Sequence, residues 1–359
     1  MTRADDGTIV VLGAGAVGCL VGGLLAEAGR HVVLIDGWAE HVEAIRARGL
    51  RLDTPEGERV ARPQAWHLGE ASRLRRLAPK VAFLTVKLYD TDWSARLLAN
   101  WLDPAVPVVS LQNALVEEVV ARAVGWGRTL GAIGGGLDVA MVGAGHMRRS
   151  RRCRSGDAIT FKVGEMNGRR TPRAAQVAAL LDEVDRAAVT TDLWTERWAK
   201  LCANVMTTGL SGITGSSLKA VYTSERAARI AVHLAAEALE VCAALGFERP
   251  SIFGLDPGHW RAAAGGDTAA MTRAVGTMAA QAASMTDDGM SGTLQDLRRQ
   301  RPTEVDYFNG FIAREGERAG VAVPLNARLA ALIREIERGE RAIAADAIEH
   351  LATAHAIHT

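Results

Sequence analysis

The chain has 359 residues, of which 48% are hydrophobic and 23% are charged, and its formal net charge is +1. These values are typical of globular proteins and exclude a chain that is disordered throughout. A net charge near zero also gives no general basic surface for nucleic acid, and the length predicts two domains, which we place at residues 1–186 and 187–359.

The first half of the chain alternates short apolar runs with helical patterns, which is typical of a parallel sheet covered by helices. The predicted strands of this sheet are Ile9–Leu12, His31–Ile35, Val81–Val86, Val106–Leu111 and Thr129–Ile133. We therefore predict an α/β fold whose N-terminal domain is a doubly wound Rossmann sheet.

A glycine-rich motif follows the first predicted strand. The residues that match the pattern GxGxxG are Gly13, Ala14, Gly15, Ala16, Val17 and Gly18. The first glycine allows a tight turn, the second lets the backbone approach a pyrophosphate, and the third lets the helix pack on the strand. The free N–H groups of that helix then face the phosphates. The pattern alone is a weak indicator, but its place between a strand and a helix indicates a dinucleotide site.

An acidic residue closes the second predicted strand. Asp36 lies 18 residues after Gly18, where a carboxylate accepts hydrogen bonds from the adenosine ribose and repels a 2′-phosphate. We therefore expect NAD(H) to be favoured over NADP(H). The alternative is that Asp36 only caps the helix that begins near Trp38.

Three further features complete the first half. The turn chemistry of Thr54-Pro55-Glu56-Gly57 predicts a small hairpin, and a strand pair at Ala140–Met147 and Ile159–Val163 is predicted to extend the main sheet. Between that pair lies a basic run, which we interpret as a solvated loop or hairpin rather than a nucleic-acid site. Its members are Arg148, Arg149, Arg151, Arg152 and Arg154.

From about Pro172 onward the pattern is that of alanine-rich helices, so the second domain is predicted to be all-helical. Two apolar sets recur there at helical spacing: Ile230, Leu234, Val241 and Leu245, and later Val305, Phe308 and Ile312. The segment after Gly339 is predicted to be a polar helical tail. Its histidines, which we do not assign to a metal, are His350, His355 and His358.

One helix of the second domain is unusual because no charged residue occurs between Lys200 and Lys219. A surface helix carries charges on one face, so this helix is expected to be largely buried. Lys200, Asn204 and Thr208 nevertheless share one face at i, i+4 and i+8, and buried polar groups need partners, so this face is predicted to line a wet cavity. The alternative is that Lys200 ends an exposed turn and that the other polar side chains bond to the backbone.

The cysteines and the apolar segments bear on the compartment. The four cysteines, Cys19, Cys153, Cys202 and Cys242, are too far apart for a CxxC pair and too few for a disulfide framework, which favours a reducing cytoplasm. The uncharged stretch Ile9–Leu25 follows acidic residues rather than the positive flank of a signal peptide. No other segment is long and apolar enough to span a bilayer, so we expect a soluble cytoplasmic protein without a membrane partner.

Taken together, these stretches resemble the ketopantoate reductase family over most of the chain, to about residue 338. Besides the glycine motif, the likeness rests on Val86-Lys87, Leu111-Gln112-Asn113-Ala114, the W-x-K-L-x-x-N block at Trp198–Asn204, Thr303-Glu304-Val305-Asp306 and Gly320-Val321-Ala322-Val323-Pro324. Each later motif is weak, but their order and spacing are specific. The resemblance implies a helical domain like the C-terminal domain of 6-phosphogluconate dehydrogenase, and a homodimer.

The resemblance also implies that hydride passes between nicotinamide C4 and the carbonyl carbon of a 2-keto acid such as ketopantoate. Lys200 matches the family's general acid, and Glu304 matches the acidic residue that binds the substrate hydroxyl and helps to place that lysine. Asn204 would orient the substrate. Asn113 is expected beside the nicotinamide, within reach of the substrate, and Lys87 near the cofactor or the substrate carboxylate.

Structural alternatives exist for three of these residues. Thr303-x-x-Asp306 is also a helix-start pattern, so Glu304 could simply favour the helix dipole. Lys87 and Asn113 could be ordinary loop residues. Ligands of open α/β sheets bind at the carboxyl ends of strands, where both stand, and this favours the functional interpretation.

The chain departs from the family at two positions. Thr208 stands where these enzymes usually carry another asparagine, and Gly292 stands where a serine normally helps to hold the substrate carboxylate, with Ser291 beside it. Losing a hydrogen-bond donor to a charged group costs roughly 1.5–3 kcal/mol, enough to shift substrate preference more than tenfold. We therefore assign Thr208 and Ser291 to the substrate site without naming the substrate.

Two other functions stay open. One is an NAD-dependent dehydrogenase that oxidises a different hydroxy compound, which Asp36 mildly favours. The other is a nucleotide-sensing protein without turnover, which would not require Lys200, Asn204 and Glu304 together.

Overall fold

The computed structural model describes residues 7–352. The chain divides into two compact units, the first ending at Leu193 and the second beginning at Trp194. The strands of the first unit are β1 (Thr8–Leu12), β2 (Val32–Asp36), β3 (Leu50–Thr54), β4 (Gly57–Ala61), β5 (Gln64–His67), β6 (Pro79–Leu84), β7 (Val108–Ser110), β8 (Thr129–Gly134), β9 (Val139–Gly143), β10 (His146–Arg149), β11 (Phe161–Glu165) and β12 (Ala187–Val189). Its helices are α1 (Ala16–Glu27), α2 (Ala39–Arg48), α3 (Thr91–Trp101), α4 (Glu117–Val124) and α5 (Pro172–Asp182), with 3₁₀ segments at Leu68–Arg76, Leu88–Asp90 and Trp126–Arg128.

The main sheet of this unit has eight strands in the order β12-β11-β8-β7-β6-β1-β2-β5. All pairs are parallel except β8 with β11. Strand β1 is buried along its whole length, and a strand covered on both faces is apolar without alternation. This explains why the sequence predicted the central strands well and confirms the Rossmann-like α/β fold.

Register brings the site-bearing ends of three strands together. Leu12 at the end of β1 pairs with Ile35 of β2 and with Leu84 of β6. The loops that follow these strands therefore leave the sheet at one edge, which is the edge where ligands of open α/β sheets bind.

A second, four-stranded sheet has the order β4-β3-β10-β9. Strands β3 and β4 form the predicted hairpin. The prediction that Ala140–Met147 and Ile159–Val163 both extend the main sheet is wrong for the first of them: β9 and β10 form a hairpin that joins β3, while β11 pairs with β8. Strand β12 pairs with β11, so a domain boundary after residue 186 would cut the main sheet.

The second unit is helical, as predicted. Its helices are α6 (Leu193–Thr214), α7 (Leu218–Thr223), α8 (Glu225–Ala244), α9 (Pro257–Ala264), α10 (Thr268–Gln281), α11 (Gly292–Arg298), α12 (Asn309–Ala319), α13 (Pro324–Glu337) and α14 (Glu349–Ala352), with 3₁₀ segments at Ala282–Ser284, Val305–Tyr307 and Ala345–Ile348. The segment after Gly339 is not one continuous helix, and it packs through the buried Leu351. His355 and His358 lie outside the described residues.

Helix α6 is largely buried after Lys200, as the lack of charge in that part predicts. Two glycines let neighbouring helices approach it: a Cβ at Gly209 would lie 2.9 Å from Leu329 Cδ2, and one at Gly212 would lie 2.7 Å from Thr293 Cγ2. Buried amides add to this, because Asn309 Nδ2 donates to Val205 O at 3.0 Å and to Asn326 Oδ1 at 2.8 Å. Close packing and these hydrogen bonds hold α6 in one position within its unit.

The arginine run begins in the β9–β10 hairpin, and Arg148, Arg152 and Arg154 are exposed, but Arg149 departs from the predicted solvated run. Arg149 is 2% exposed and forms an ion pair with Asp185, which is 1% exposed. Arg154 lies nearby and pairs with Asp182. Asp185 also accepts hydrogen bonds from the backbone N–H groups of Arg154, at 2.9 Å, and Arg186, at 2.7 Å. This pair ties the small sheet to the strand connection before β12.

We expect Asp185→Asn to lower the free energy of unfolding by about 3–5 kcal/mol, because it leaves the Arg149 charge buried without a counter-charge. Burial acts to raise the pKa of Asp185, but hydrogen bonds from Arg149 and the two backbone N–H groups outweigh it and hold that pKa below 3.8. The unfolded chain therefore binds the proton first, and the stabilisation present above about pH 4 is lost as the pH falls through the depressed pKa. Urea unfolding of both proteins at several pH values measures this.

The matched control is Asp92→Asn, which breaks the exposed pair of Asp92 with Arg96 on α3. Because exposed ion pairs contribute little, this variant should unfold at nearly the wild-type urea concentration. Equal effects of the two substitutions would contradict the importance given to the buried pair.

Candidate functional site

The three glycines of the motif meet different constraints. Gly13 has a φ of +99°, and a Cβ there would lie 2.6 Å from Val86 N. A Cβ at Gly18 would lie 2.0 Å from Gly13 O, whereas Gly15 is exposed and has no atom within 4 Å of its Cβ position. The protein therefore needs glycine at the first and third positions for its own packing. At the second position, Gly15, the space beside the backbone is open to solvent.

The N-terminus of α1 is suited to an anion. Gly15 precedes the helix without a capping side chain, and the first turn, which contains Ala16 and Val17, has no acidic residue. Helix N–H groups without partners and the positive end of the helix dipole attract phosphate. Open space at Gly15 and this helix end together fit the pyrophosphate of a dinucleotide.

Asp36 links the glycine loop to the start of the next helix. Its Oδ2 accepts the backbone N–H of Ala14 at 2.6 Å, and its Oδ1 accepts the N–H of Trp38 at 2.8 Å. Asp36 therefore shapes the turn before α2, but it is not the N-cap of that helix, which is Trp38 and has no side-chain capping hydrogen bond. The carboxylate is partly exposed at the end of β2, and each oxygen keeps a further lone pair for a hydroxyl group.

Lys87 and Asn113 stand in neighbouring loops of the same sheet edge. Lys87 follows β6 and is partly buried, and Asn113 follows β7 and is exposed. The buried Gln112 ties the two loops together, because its Nε2 donates to Val86 O and to Thr91 Oγ1, each at 2.9 Å. Sequence reasoning missed this role of Gln112, although a glutamine beside an apolar strand could have signalled a buried bridging amide.

The three polar residues on the predicted face of α6, Lys200, Asn204 and Thr208, differ in what they contact. Thr208 Oγ1 donates to Asn204 O at 2.8 Å, as the backbone-bonding alternative predicts. Asn204 does not follow it, because its Nδ2 is buried and has no hydrogen-bond partner among the described residues. Lys200 is partly exposed one turn before Asn204. The face therefore presents an ammonium group and an unsatisfied amide donor.

Ser291 and Gly292 begin α11. Ser291 is 2% exposed; its Oγ accepts the N–H of Leu294 at 3.0 Å and donates to Thr208 O at 3.1 Å. Gly292 is exposed. The only hydroxyl proton of Ser291 is thus directed to a backbone carbonyl of α6, so this serine links α11 to the helix that carries Lys200.

Glu304 precedes the 3₁₀ segment Val305–Tyr307 and is partly buried. Its side chain makes no capping hydrogen bond, and it is Thr303 Oγ1 that accepts the N–H of Val305, at 3.2 Å. Starting this turn therefore does not require the Glu304 carboxylate.

Within residues 7–352, no group of three or more histidine, cysteine, aspartate or glutamate side chains is arranged to hold a metal ion. In the same part of the chain, no helix has the length and hydropathy needed to cross a membrane.

Comparisons with known proteins identify the chain. The family described as "Ketopantoate reductase PanE/ApbA" matches residues 9–160, and "Ketopantoate reductase PanE/ApbA C terminal" matches residues 192–337. The 2-dehydropantoate 2-reductase of Archaeoglobus fulgidus is 30% identical over 92% of this chain and 98% of its own length. The chain belongs to the ketopantoate reductase family. It is therefore an NAD(P)-dependent oxidoreductase that acts on CH–OH groups.

Solved structures of similar fold agree with this assignment. A PanE/ApbA family ketopantoate reductase from Ralstonia eutropha has a TM-score of 0.74 at 27% identity, covering 93% of this chain and 99% of its own. D-mandelate dehydrogenase, solved with NADH and anilino(oxo)acetate, also has a TM-score of 0.74, covering 92% of this chain and 99% of its own. At 21% identity the second likeness shows the fold alone.

Proposed function

We propose that this member of the ketopantoate reductase family reduces the carbonyl group of a 2-keto acid, with Lys200 as the general acid. The observation that carries the proposal is the buried Asn204 Nδ2, which has no partner among the described residues and lies one helical turn after Lys200. Leaving a buried donor unsatisfied costs about 1–3 kcal/mol, so a ligand oxygen is its expected acceptor.

We assign binding of the dinucleotide cofactor to the first unit. The loop Gly13–Gly18 would hold the pyrophosphate, Asp36 the adenosine ribose, and Lys87 and Asn113 the part nearer the nicotinamide. The reduced nicotinamide, when bound, supplies the hydride. Open space at Gly15 and the uncapped end of α1 support this assignment.

The second unit is assigned the proton transfer. The Lys200 ammonium would donate a proton from Nζ to the carbonyl oxygen as negative charge develops there, and the Asn204 amide would donate a hydrogen bond to the same substrate. The Glu304 carboxylate would accept a hydrogen bond from a substrate hydroxyl group and help to place the Lys200 ammonium group. The product is the corresponding hydroxy acid.

The substrate pocket differs from that expected for ketopantoate. A substrate carboxylate needs hydrogen-bond donors, but the hydroxyl protons of Thr208 and Ser291 are directed to backbone carbonyls, and Gly292 has no side chain. Thr208 and Ser291 would therefore line the substrate site without supplying the carboxylate contacts that the family's asparagine and serine supply.

Oxidation of another hydroxy compound is the second candidate. Its support is Asp36, and a D-mandelate dehydrogenase of the same fold was solved with NADH. We further propose a homodimer in a reducing cytoplasm; the four cysteines are free thiols, which is compatible with that compartment.

Lys200→Ala should lower turnover by about 10²- to 10⁴-fold, because the alkoxide would lose its proton donor. The dissociation constant for NADH should change less than about twofold. Steady-state kinetics with the best 2-keto acid and titration of nicotinamide fluorescence measure the two effects. Lys219→Ala is the control, since this lysine belongs to the same unit and pairs with Asp287. Wild-type turnover in Lys200→Ala would remove that lysine from the mechanism.

NADH should bind at least about tenfold more tightly than NADPH, because the 2′-phosphate would lie beside the Asp36 carboxylate. Asp36→Asn should lower the ratio of the NADPH dissociation constant to the NADH dissociation constant. Glu58→Gln, which removes an exposed charge on β4, should leave that ratio unchanged. Fluorescence titration with both nucleotides provides the ratio. Tighter binding of NADPH to the wild type would defeat the assignment of Asp36.

Ketopantoate should be a poor substrate beside other carbonyl compounds, with kcat/KM lower by more than about tenfold, which corresponds to one missing hydrogen bond to a charged group. A panel of 2-keto acids, 2-hydroxy acids and carbonyl compounds without a carboxylate, assayed with both nucleotides in both directions, measures this. Efficient reduction of ketopantoate would show that Thr208 and Gly292 leave the pocket unchanged.

A further inference from the structure

A chain of buried hydrogen bonds runs beneath the glycine-rich loop. The backbone N–H of Gly145 donates to His41 Nδ1 at 2.8 Å, and His41 Nε2 lies 3.4 Å from Cys19 Sγ. The Cys19 thiol donates to Ala14 O at 3.0 Å, and the N–H of Ala14 donates to Asp36 Oδ2 at 2.6 Å. Both polar backbone atoms of Ala14 are therefore held by side chains.

The geometry of this series of hydrogen bonds determines where the protons of His41 and Cys19 lie. Because His41 Nδ1 accepts a backbone N–H, the neutral imidazole carries its proton on Nε2 and directs it toward Cys19 Sγ. His41 and Cys19 are both 0% exposed. Burial lowers the pKa of His41 against the opposing charge of Asp36, and burial raises the pKa of the Cys19 thiol. Both groups are thus neutral donors at physiological pH.

The small sheet supports the imidazole. Gly145 lies in the turn between β9 and β10 with a φ of +71°, and a Cβ there would lie 2.9 Å from Ala44 Cβ, so glycine allows the turn to reach α2. On its ring face, His41 stacks with Trp38 at a centroid distance of 5.2 Å and an interplanar angle of 13°.

The direction of the Ala14 carbonyl determines the direction of the next N–H group. No cis peptide bond occurs among the described residues, and in a trans peptide the C=O and the following N–H point in opposite directions. Ala14 O points inward to the buried thiol, so the N–H of Gly15 points outward. Gly15 is exposed, and the space at its Cβ position is open.

We propose that Cys19 and His41 are positioning residues that hold the Ala14–Gly15 peptide with its N–H directed at the cofactor pyrophosphate. This inference rests on the proposed dinucleotide site at the glycine-rich loop. Neither side chain touches the cofactor; each acts through the loop backbone. A cysteine that only filled the core would behave as a small apolar residue, and its hydrogen-bonding capacity would not matter.

The test compares Cys19→Ala with Cys19→Ser. Alanine removes the donor to Ala14 O, whereas serine keeps an O–H group at the same place. The dissociation constants for NADH and for ADP, which both contain a pyrophosphate, should rise about five- to tenfold in Cys19→Ala and stay within about twofold of wild type in Cys19→Ser. Calorimetry or fluorescence titration provides both constants without turnover.

Val21→Ala is the matched control for loss of packing. Val21 is 0% exposed on the same helix and has an apolar side chain that takes no part in these hydrogen bonds, so its truncation should lower the urea midpoint and leave both dissociation constants unchanged. If Cys19→Ala does not fold, His41→Leu and His41→Gln make the same comparison, because glutamine keeps an N–H donor near the position of Nε2. His41→Leu should weaken NADH binding more than His41→Gln.

Wild-type affinity in Cys19→Ala, or equal weakening in Cys19→Ser and Cys19→Ala, would overturn the inference. Gly15→Ala distinguishes failure of this inference from failure of the proposed dinucleotide site. A methyl group at Gly15 meets no atom of another part of the protein but would meet a bound pyrophosphate. If Gly15→Ala binds NADH like the wild type, the proposed site is wrong and the inference falls with it. If Gly15→Ala loses NADH while Cys19→Ala keeps it, only the inference is wrong.

Discussion

Burial of the parallel strands β1, β2 and β6 on both faces is the constraint on which the rest of the first unit depends. It sets the register that brings Leu12, Ile35 and Leu84 level. Gly13 follows β1 directly, and its N–H donates to Ile35 O at 2.9 Å while Thr85 Oγ1 donates to its carbonyl at 2.6 Å. The loop that would receive phosphate is therefore attached to both neighbouring strands. Its shape is a consequence of sheet packing and of these two hydrogen bonds.

The central fold could be predicted because its signals are local. Continuous apolar runs mark strands that are covered on both sides, and the absence of charge after Lys200 marks a buried helix. The partner of the β9–β10 hairpin could not be predicted, because β10 pairs with β3 across a long separation in sequence. Likewise, nothing near Arg149 indicates that Asp185 neutralises it within the core.

The candidate site also has parts that could be predicted from the sequence and parts that could not. Spacing alone placed the glycine motif, Asp36 and the polar face of α6. The different states of Asn204 and Thr208 depend on which side-chain atoms meet a backbone carbonyl, and spacing does not determine that. Gln112 and His41 were missed because their partners come from another loop and from the small sheet, and Cys19 was missed because the sequence does not show that its thiol bonds to the carbonyl of Ala14. Residues that act on a site through the backbone, without lining it, have no recognisable motif in a single sequence.

Membership of the family establishes the class of chemistry, and hydride transfer to a carbonyl carbon is the central claim for this chain. The most direct measurement is to incubate the protein with NADH deuterated at C4 and a panel of 2-keto acids, and to analyse the products by mass spectrometry. With deuterium in both hydrogen positions of C4, so that either face transfers the label, we expect a 2-hydroxy acid with one deuterium on its carbinol carbon. Binding of the nucleotide without a labelled hydroxy acid from any member of the panel would contradict the claim and favour a nucleotide-sensing protein.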